Sequence, residues 1–253
     1  MAGAEEGTVR SVLRAVDLLN LHDDEHESRA MRELIESSGL AKTTVVRLVR
    51  TLEECGLLWH RRDGRTVPGP ALLRWAVLAQ AVWQLPPEAD DALEALSDTS
   101  GGEAVHLYVR QQQARLCIAR HEGTRTLRHV VRVGEAVPLW SGAASHVLLS
   151  QADAADIEAV AALAPHGAGE HTLMNRVRRA AARGWSVSRG EQESGVCGVA
   201  APVFDSSQSV VAALALEGRT VGFTDGAVPP FVPALLDAAR TLTILNCIEG
   251  AAR

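Results

Sequence analysis

The chain has 253 residues, 47% of them apolar and 22% charged, with a formal net charge of −6 at pH 7. That length leaves room for two domains with ample core, and a mean hydropathy near zero excludes a disordered chain or a membrane-embedded one. No apolar run reaches membrane-spanning length and Met1–Thr8 is too polar and acidic for a signal peptide, so a cytoplasmic protein without a membrane partner is expected.

The first predicted element is a helix over Thr8–Leu21, with Val9, Val12, Leu13, Val16 and Leu19 at helical spacing. The acidic stretch His22-Asp-Asp-Glu-His-Glu27 follows. Its two histidines stand four apart, but a solvated charge run is the commoner meaning of such a segment, and no metal is assigned to it. From Arg32 to Gly56 the sequence predicts a short helix, a turn centred on Gly39, and a second helix with one greasy side. Val45, Leu48, Val49 and Leu52 fall within about one third of the circumference. Thr43, Arg47, Arg50 and Thr51 cluster opposite, with Lys42 and Thr44 at the amino end, where a recognition helix meets bases and phosphates.

Leu57–Arg62 reads as a strand, Asp63-Gly64 as a two-residue hairpin turn, and Arg65-Thr66-Val67 as the returning strand. A basic hairpin after the second helix is the wing of a winged helix-turn-helix, whose Arg61, Arg62 and Arg65 would anchor on backbone phosphate or the minor groove. Between Lys42 and Arg65 six basic residues stand against three acidic ones, although the whole chain is acidic. Phosphate contacts are local, so a basic reading head on an acidic body is consistent with double-stranded DNA as partner.

Pro68-Gly69-Pro70 closes the wing. Ala71–Trp83 then reads as a helix apolar on most sides, which fits a linker packed between domains and against a twin in a dimer. A helix over Glu88–Thr99 precedes a change to strands and turns: Glu103–Arg110 and Arg115–His121 paired through Gln111–Ala114, and a third strand at Arg128–Val133. Helices are predicted over Ser141–Gln151, Ala152–Leu163 and Met174–Arg183, strands over Val196–Phe204 and Val210–Glu217, and a final helix over Pro233–Ile248. The order predicts an α+β fold with a largely antiparallel sheet. The expected domains are a winged helix-turn-helix over 8–68, a linker and dimerisation helix over 69–84, and a second domain over 85–250.

Chemistry-bearing constellations are sparse. Cys55, Cys117, Cys197 and Cys247 lie far apart with no CxxC, which argues against a zinc site or disulfide framework. Ser141, His146 and Asp153 form the nearest approach to a hydrolytic set, but no nucleophile elbow accompanies them. No phosphate-binding loop or dinucleotide fingerprint occurs, so neither a cofactor nor an enzymatic activity is expected. A ligand sensor acting through a protein partner, or a small-molecule hydrolase, are the alternatives to a DNA-binding regulator.

The whole chain resembles the IclR family of bacterial transcription regulators. The match runs through Glu33-Leu34-Ile35, Ser38-Gly39-Leu40, Lys42-Thr43-Thr44-Val45, Arg47-Leu48, Thr51-Leu52, Gly56 and Pro68-Gly69. It continues through Val133-Gly134, Pro138-Leu139, Arg183-Gly184-Trp185, Glu191, Gly195-Val196, Ala200-Ala201-Pro202-Val203, Val211-Ala212-Ala213-Leu214 and Gly218. The resemblance implies a C-terminal GAF-like effector-binding domain, and a homodimer or homotetramer that binds a palindromic operator and responds to a small-molecule effector, usually as a repressor. Carried over from the family, the effector site falls on Ala143, Ala144, Ser188, Gly198, Ala215 and Glu217, with Trp140 beside it.

Two departures from the family pattern stand out. Thr66-Val-Pro68-Gly69 lacks the aromatic common at the wing exit, and Trp140-Ser-Gly-Ala-Ala-Ser-His146 stands where the family usually carries His-Ala-(Ser/Thr) and a later Gly-Lys. Small residues at 143 and 144 and the start of a helix there are expected to let main-chain amides approach an acid group. The carboxylate of Glu217, where the family usually has a small hydroxyl residue, would repel a simple acid. It points to an effector carrying an amine, hydroxyl or aromatic N–H donor.

Overall fold

The computed structural model describes residues 9–23, 25–124, 131–165, 170–191, 194–219, 228–246 and 248. The chain divides into two compact units, Met1–Val82 and Trp83–Arg253.

The first unit runs α1 (Arg10–Leu19), β1 (Arg29–Ala30), α2 (Met31–Ser38), α3 (Lys42–Glu54), β2 (Leu58–His60), β3 (Arg65–Pro68) and most of α4 (Ala71–Trp83). Its core is Leu18, Leu34, Val45, Val49, Leu52 and Leu58, all buried, with Ala15, Leu19 and Leu48 partly so. The expected apolar stripe of α1 lies elsewhere: Val9, Val12, Leu13 and Val16 are 45–58% exposed. Leu18, on another side of the helix, enters the core instead, so α1 carries two apolar faces and uses one within this chain. Gly39 ends α2 at φ +63°, giving the sharp turn into α3.

β3 pairs with β2 on one side and with β1 on the other. The hairpin loop is longer than a two-residue Asp-Gly turn. Arg61 N donates to Arg65 O (2.8 Å) and Gly64 N to Arg61 O (3.1 Å), so Arg61–Gly64 form the loop and Gly64 takes φ +81°. β1, only two residues long, was not expected from sequence. The buried Thr66 ties it down, donating its hydroxyl to Arg29 O at 3.0 Å.

The hairpin also fixes the start of α4. Gly69 N donates to Leu57 O (2.8 Å) and Ala71 N to Gly56 O (3.1 Å). A Cβ at position 69 would lie 2.1 Å from Gly56 O, so only glycine fits. α4 has no buried residue, and Leu73, Trp75, Val77 and Val82 are more than half exposed.

The second unit begins with α5 (Pro87–Thr99), whose first turn is preset by Pro86 and Pro87. Then come β4 (Ala104–Gln111), β5 (Ala114–His121), β6 (Ala136–Pro138), α6 (Ala143–Leu148), α7 (Ala154–Ala161), α8 (Glu170–Arg183), β7 (Ser186–Arg189), β8 (Val196–Phe204), β9 (Val210–Arg219) and α9 (Val228–Ile244). The strands make one antiparallel sheet in the order β6-β5-β4-β9-β8-β7. The fold is α+β, as the sequence order predicts. The third strand expected at 128–133 lies partly outside the described residues, and its described part, Val131–Val133, is not strand; β6 and β7 occupy segments where no strand was expected.

α5 and α9 cover one face of the sheet, burying Leu93, Leu96, Leu235 and Leu242 against Val105, Leu107, Leu214 and Leu216. α6 lies on the other face over β8 and β9. Ala200, Ala213 and Ala215 face it there, and a methyl group at each position lets the short helix sit close to the sheet. β5 carries a bulge at Ile118, so that Tyr108 pairs with Cys117 while Leu107 pairs with Ala119. The bulge keeps Arg115, Cys117 and Arg120 on the α6 side despite the odd spacing.

Candidate DNA interface and effector cavity

α3 presents its two sides as the periodicity requires. Val45, Val49 and Leu52 are buried, and Lys42, Thr43, Arg47, Arg50 and Thr51 are exposed, with Thr44 half-buried at the amino end. Arg47 makes no ion pair among the described residues, while Arg50 Nε stands 3.6 Å from Glu54 Oε1 in an exposed i, i+4 pair. Thr51 turns its hydroxyl back to Arg47 O at 3.0 Å. At the wing, Arg61 and Arg62 are exposed on the loop.

Arg65 behaves differently from its neighbours. Its guanidinium faces back into the domain, donating to Ser28 O (2.7 Å), Ser28 Oγ (2.9 Å) and Glu33 Oε2 (2.9 Å). Glu33 Oε2 also accepts the Ala30 amide at 2.9 Å, closing the first turn of α2. The Ala30 amide, with Arg65 beside it, holds the Glu33 carboxyl below its ordinary value. Arg65 is therefore a clamp between β3, β1 and α2 rather than a third free cation of the wing. Charge alone does not reveal direction; the partners Ser28 and Glu33, 37 and 32 positions away, do.

In the second unit the residues carried over from the family converge. Ser188 on β7 stands opposite Gly198 on β8, and Gly198 opposite Glu217 on β9, giving one row across three strands. The next row runs Ser186, Ala200, Ala215 and His106. Ala143 N donates to Ser188 Oγ at 3.0 Å, so the start of α6 roofs that end of the row. Trp140, half-buried, packs on the same cluster.

Several buried polar groups there were not singled out from sequence as effector-site residues. Glu217 is interior rather than a solvent-facing strand end: Tyr108 Oη donates to Glu217 Oε2 (3.1 Å), and His106 Nδ1 lies 3.2 Å from the same oxygen. Burial pushes the Tyr108 phenol well up, with Glu217 adding to it. Burial likewise pulls His106 down and outweighs the opposing pull of Glu217, so the imidazole is neutral at neutral pH. The fully buried Arg115 stands over the Tyr108 ring at 5.1 Å and donates to Ser141 O (2.5 Å), Ser145 Oγ (2.6 Å) and Pro138 O (3.1 Å). It holds the Pro138–Ser145 segment on the sheet.

At the head of α6, where an anion cradle was expected, two amides already have partners within the chain. α6 is six residues long, shorter than Ser141–Gln151, and its amide at Gly142 donates to Glu191 Oε2 at 3.2 Å. That oxygen also lies 2.9 Å from Arg176 Nη1 and 3.2 Å from His146 Nε2. Burial pushes the Glu191 carboxyl up, but His146, the Gly142 amide and Arg176 together hold it below its ordinary value. The chain's own carboxylate thus takes the Gly142 amide, and Ser188 the Ala143 amide, at the head of α6 where a ligand acid was foreseen. His146 uses Nδ1 on Ser186 Oγ at 2.9 Å, and Asp153 caps α7 by accepting Asp156 N at 2.8 Å. The Ser141, His146 and Asp153 set is not assembled.

Family models match both units: the IclR helix-turn-helix domain over residues 11–62, and the bacterial transcriptional regulator IclR C-terminal domain over residues 81–244. The chain belongs to the IclR family. This IclR-family chain is 29% identical to the HTH-type transcriptional regulator KipR of Bacillus subtilis, covering 92% of this chain and 96% of that one. It is also 29% identical to the glycerol operon regulatory protein of Streptomyces coelicolor, covering 93% and 95%. Among solved structures, an IclR-family transcriptional regulator from Rhodococcus sp. is 38% identical, covers 98% of this chain and 100% of its own, and superposes with a TM-score of 0.63. An ICLR transcriptional regulator from Silicibacter sp., 24% identical with 93% and 96% covered, shares the fold at a TM-score of 0.77. The IclR protein described here is a helix-turn-helix transcriptional regulator, in a family for which effector binding is typical. No helix among the described residues is long and apolar enough to cross a membrane.

Proposed function

We propose that this regulator reads a palindromic operator as a dimer or dimer of dimers, acting as a cytoplasmic repressor released by a small molecule, with no catalytic role. The observation that carries the DNA reading is the two-sided α3: three residues locked in the core hold Thr43, Arg47 and Arg50 outward on one rigid cylinder. In this reading Lys42 and Thr44 meet the backbone at the amino end, Arg47 and Arg50 reach guanine edges or phosphate, and Arg61 and Arg62 anchor the wing. Dimerisation is supported by apolar surface that the chain leaves open in its first unit: the outer stripe of α1, the length of α4, and an apolar groove of about 510 Å³ lined by Trp59, Val67, Leu72, Leu73 and Ala76.

Within the second unit the effector lies against Ala143, Ala144, Ser188, Gly198, Ala215 and Glu217, with Trp140 at the side and His106 and Tyr108 beneath. Glu217 and the neutral His106 favour a ligand that brings a hydrogen-bond donor. An IclR homologue from Microbacterium hydrocarbonoxydans was crystallised with 4-hydroxybenzoate, a molecule with a hydroxyl at one end and a carboxylate at the other. That compound, its 4-amino analogue and plain keto acids form the first series to test.

The test is fluorescence anisotropy of the full chain on DNA from upstream of its own gene, with and without each compound. Saturable binding that a donor-bearing aromatic weakens is the expected result. No binding to that DNA, or release by plain keto acids alone, would refute the respective half of the reading.

A further inference from the structure

A second concave site lies at the β7 edge of the sheet, where α8 passes it. Arg176, Arg179, Arg183 and Arg189 line a cavity of about 270 Å³ together with Trp185, and Glu191 is the one carboxylate among its described lining residues. Three of the arginines sit at positions 176, 179 and 183 of α8, spacings of three and four that bring them onto one helix face. Arg189 comes from the end of β7, across the cavity.

Like charges gathered in this way repel one another, and the field they create is concentrated by the low-dielectric walls of a cleft. Arg176 is balanced by Glu191 at 2.9 Å, and Arg189 has a partner of its own. Arg179 and Arg183 form no ion pair among the described residues. Arg183 is nonetheless held in place, its guanidinium 5.7 Å from the centre of the Trp185 ring, so one fork of the site is pre-organised. Planar guanidinium groups match phosphate and carboxylate oxygens through paired N–H donors, which a solvated lysine face would not do.

We propose that this pocket binds a small, multiply charged oxyanion, a phosphorylated or polycarboxylate metabolite, at a site separate from the effector cavity. The site stands whether or not the effector reading holds, because none of its four arginines belongs to that cavity. Its bearing on regulation runs through Arg176. The same guanidinium that lines the pocket holds Glu191, and Glu191 accepts the Gly142 amide at the head of α6. An anion drawing on Arg176 competes with Glu191 and acts on the segment that roofs the effector row.

The experiment is isothermal titration of the full-length protein with inorganic pyrophosphate and, separately, with citrate. It compares the unmodified chain, R179Q/R183Q and R61Q/R62Q. The expected result is saturable binding of one anion per chain for at least one probe, weakened tenfold or more in R179Q/R183Q and retained in R61Q/R62Q. A preference for pyrophosphate assigns a phosphorylated ligand, and a preference for citrate a polycarboxylate. Absence of saturable binding for both probes overturns the proposal. So does binding that survives R179Q/R183Q, or binding lost in R61Q/R62Q, which would place the anion on the wing. Arg179 and Arg183 are exposed, so the double variant should keep its unfolding midpoint; if it does not, R179Q alone replaces it with the same criteria.

Discussion

The two units of this regulator place their working side chains in opposite ways. In the first, six buried apolar residues form a small core whose purpose is to hold cations and threonines outside it. In the second, the polar groups are inside, with Tyr108, His106 and Arg115 almost wholly buried under α6 and Glu217 nearly so. An outward-facing site tolerates changes to its functional residues without loss of fold. An inward-facing site does not, because groups such as Tyr108 and Glu217 there also satisfy one another.

The widest separation between the units should come from their cores. Leu34→Ala removes a fully buried side chain from the smaller one and should cost about 2–5 kcal/mol. Denaturant unfolding followed by far-ultraviolet dichroism should show the first unit melting early while the sheet is retained; a single unshifted transition would erase the distinction. Next come two substitutions of similar size with opposite signatures. Arg47→Ala should weaken operator binding by about 1–3 kcal/mol with an unchanged melting temperature. Glu217→Ala should lower stability by about 1–3 kcal/mol, since it strips the buried Tyr108 hydroxyl of its acceptor, and should change effector binding as well. Finding that Arg47→Ala destabilises, or that Glu217→Ala does not, would break the comparison.

Smaller effects sharpen it within the wing. Arg62→Ala should reduce the slope of log K against log salt by about one phosphate contact. Arg65→Ala should leave that slope nearly intact and lower the melting temperature instead, because its guanidinium is bound to Ser28 and Glu33. The smallest effect is on pH. His106 and Glu191 both have folded values below their ordinary ones, so the unfolded chain takes up protons more readily. Their contribution is complete at neutral pH and lost on acidification, first as His106 is forced to charge and then as Glu191 protonates. Urea titrations from about pH 7 down to about pH 3 should show this loss, with Glu191→Gln flattening its acidic part.

The same contrast explains what could be read without coordinates. α3 was legible from end to end because a 3.6-residue period is written in consecutive positions, and β8 was legible because nine residues of strand are enough to show themselves. β1 and β6, two and three residues long, carry no period at all. The polar floor was harder still. Tyr108 and Glu217 are 109 positions apart, and Glu191 reaches Gly142 across 49. Strand register brings the first pair together and the turn after β7 the second, and neither is encoded in any one segment. Family resemblance located Ser188, Gly198 and Glu217, which share a row, but gave no sign that Glu191 would satisfy the head of α6.

One consequence follows from the glycine contact at the root of α4. With Gly69 pressed on Gly56 and two main-chain hydrogen bonds closing the corner, the rod and the reading head form a single bracket without a joint between them. A change in the direction of the rod relative to the reading head must then arise farther along the chain than that weld.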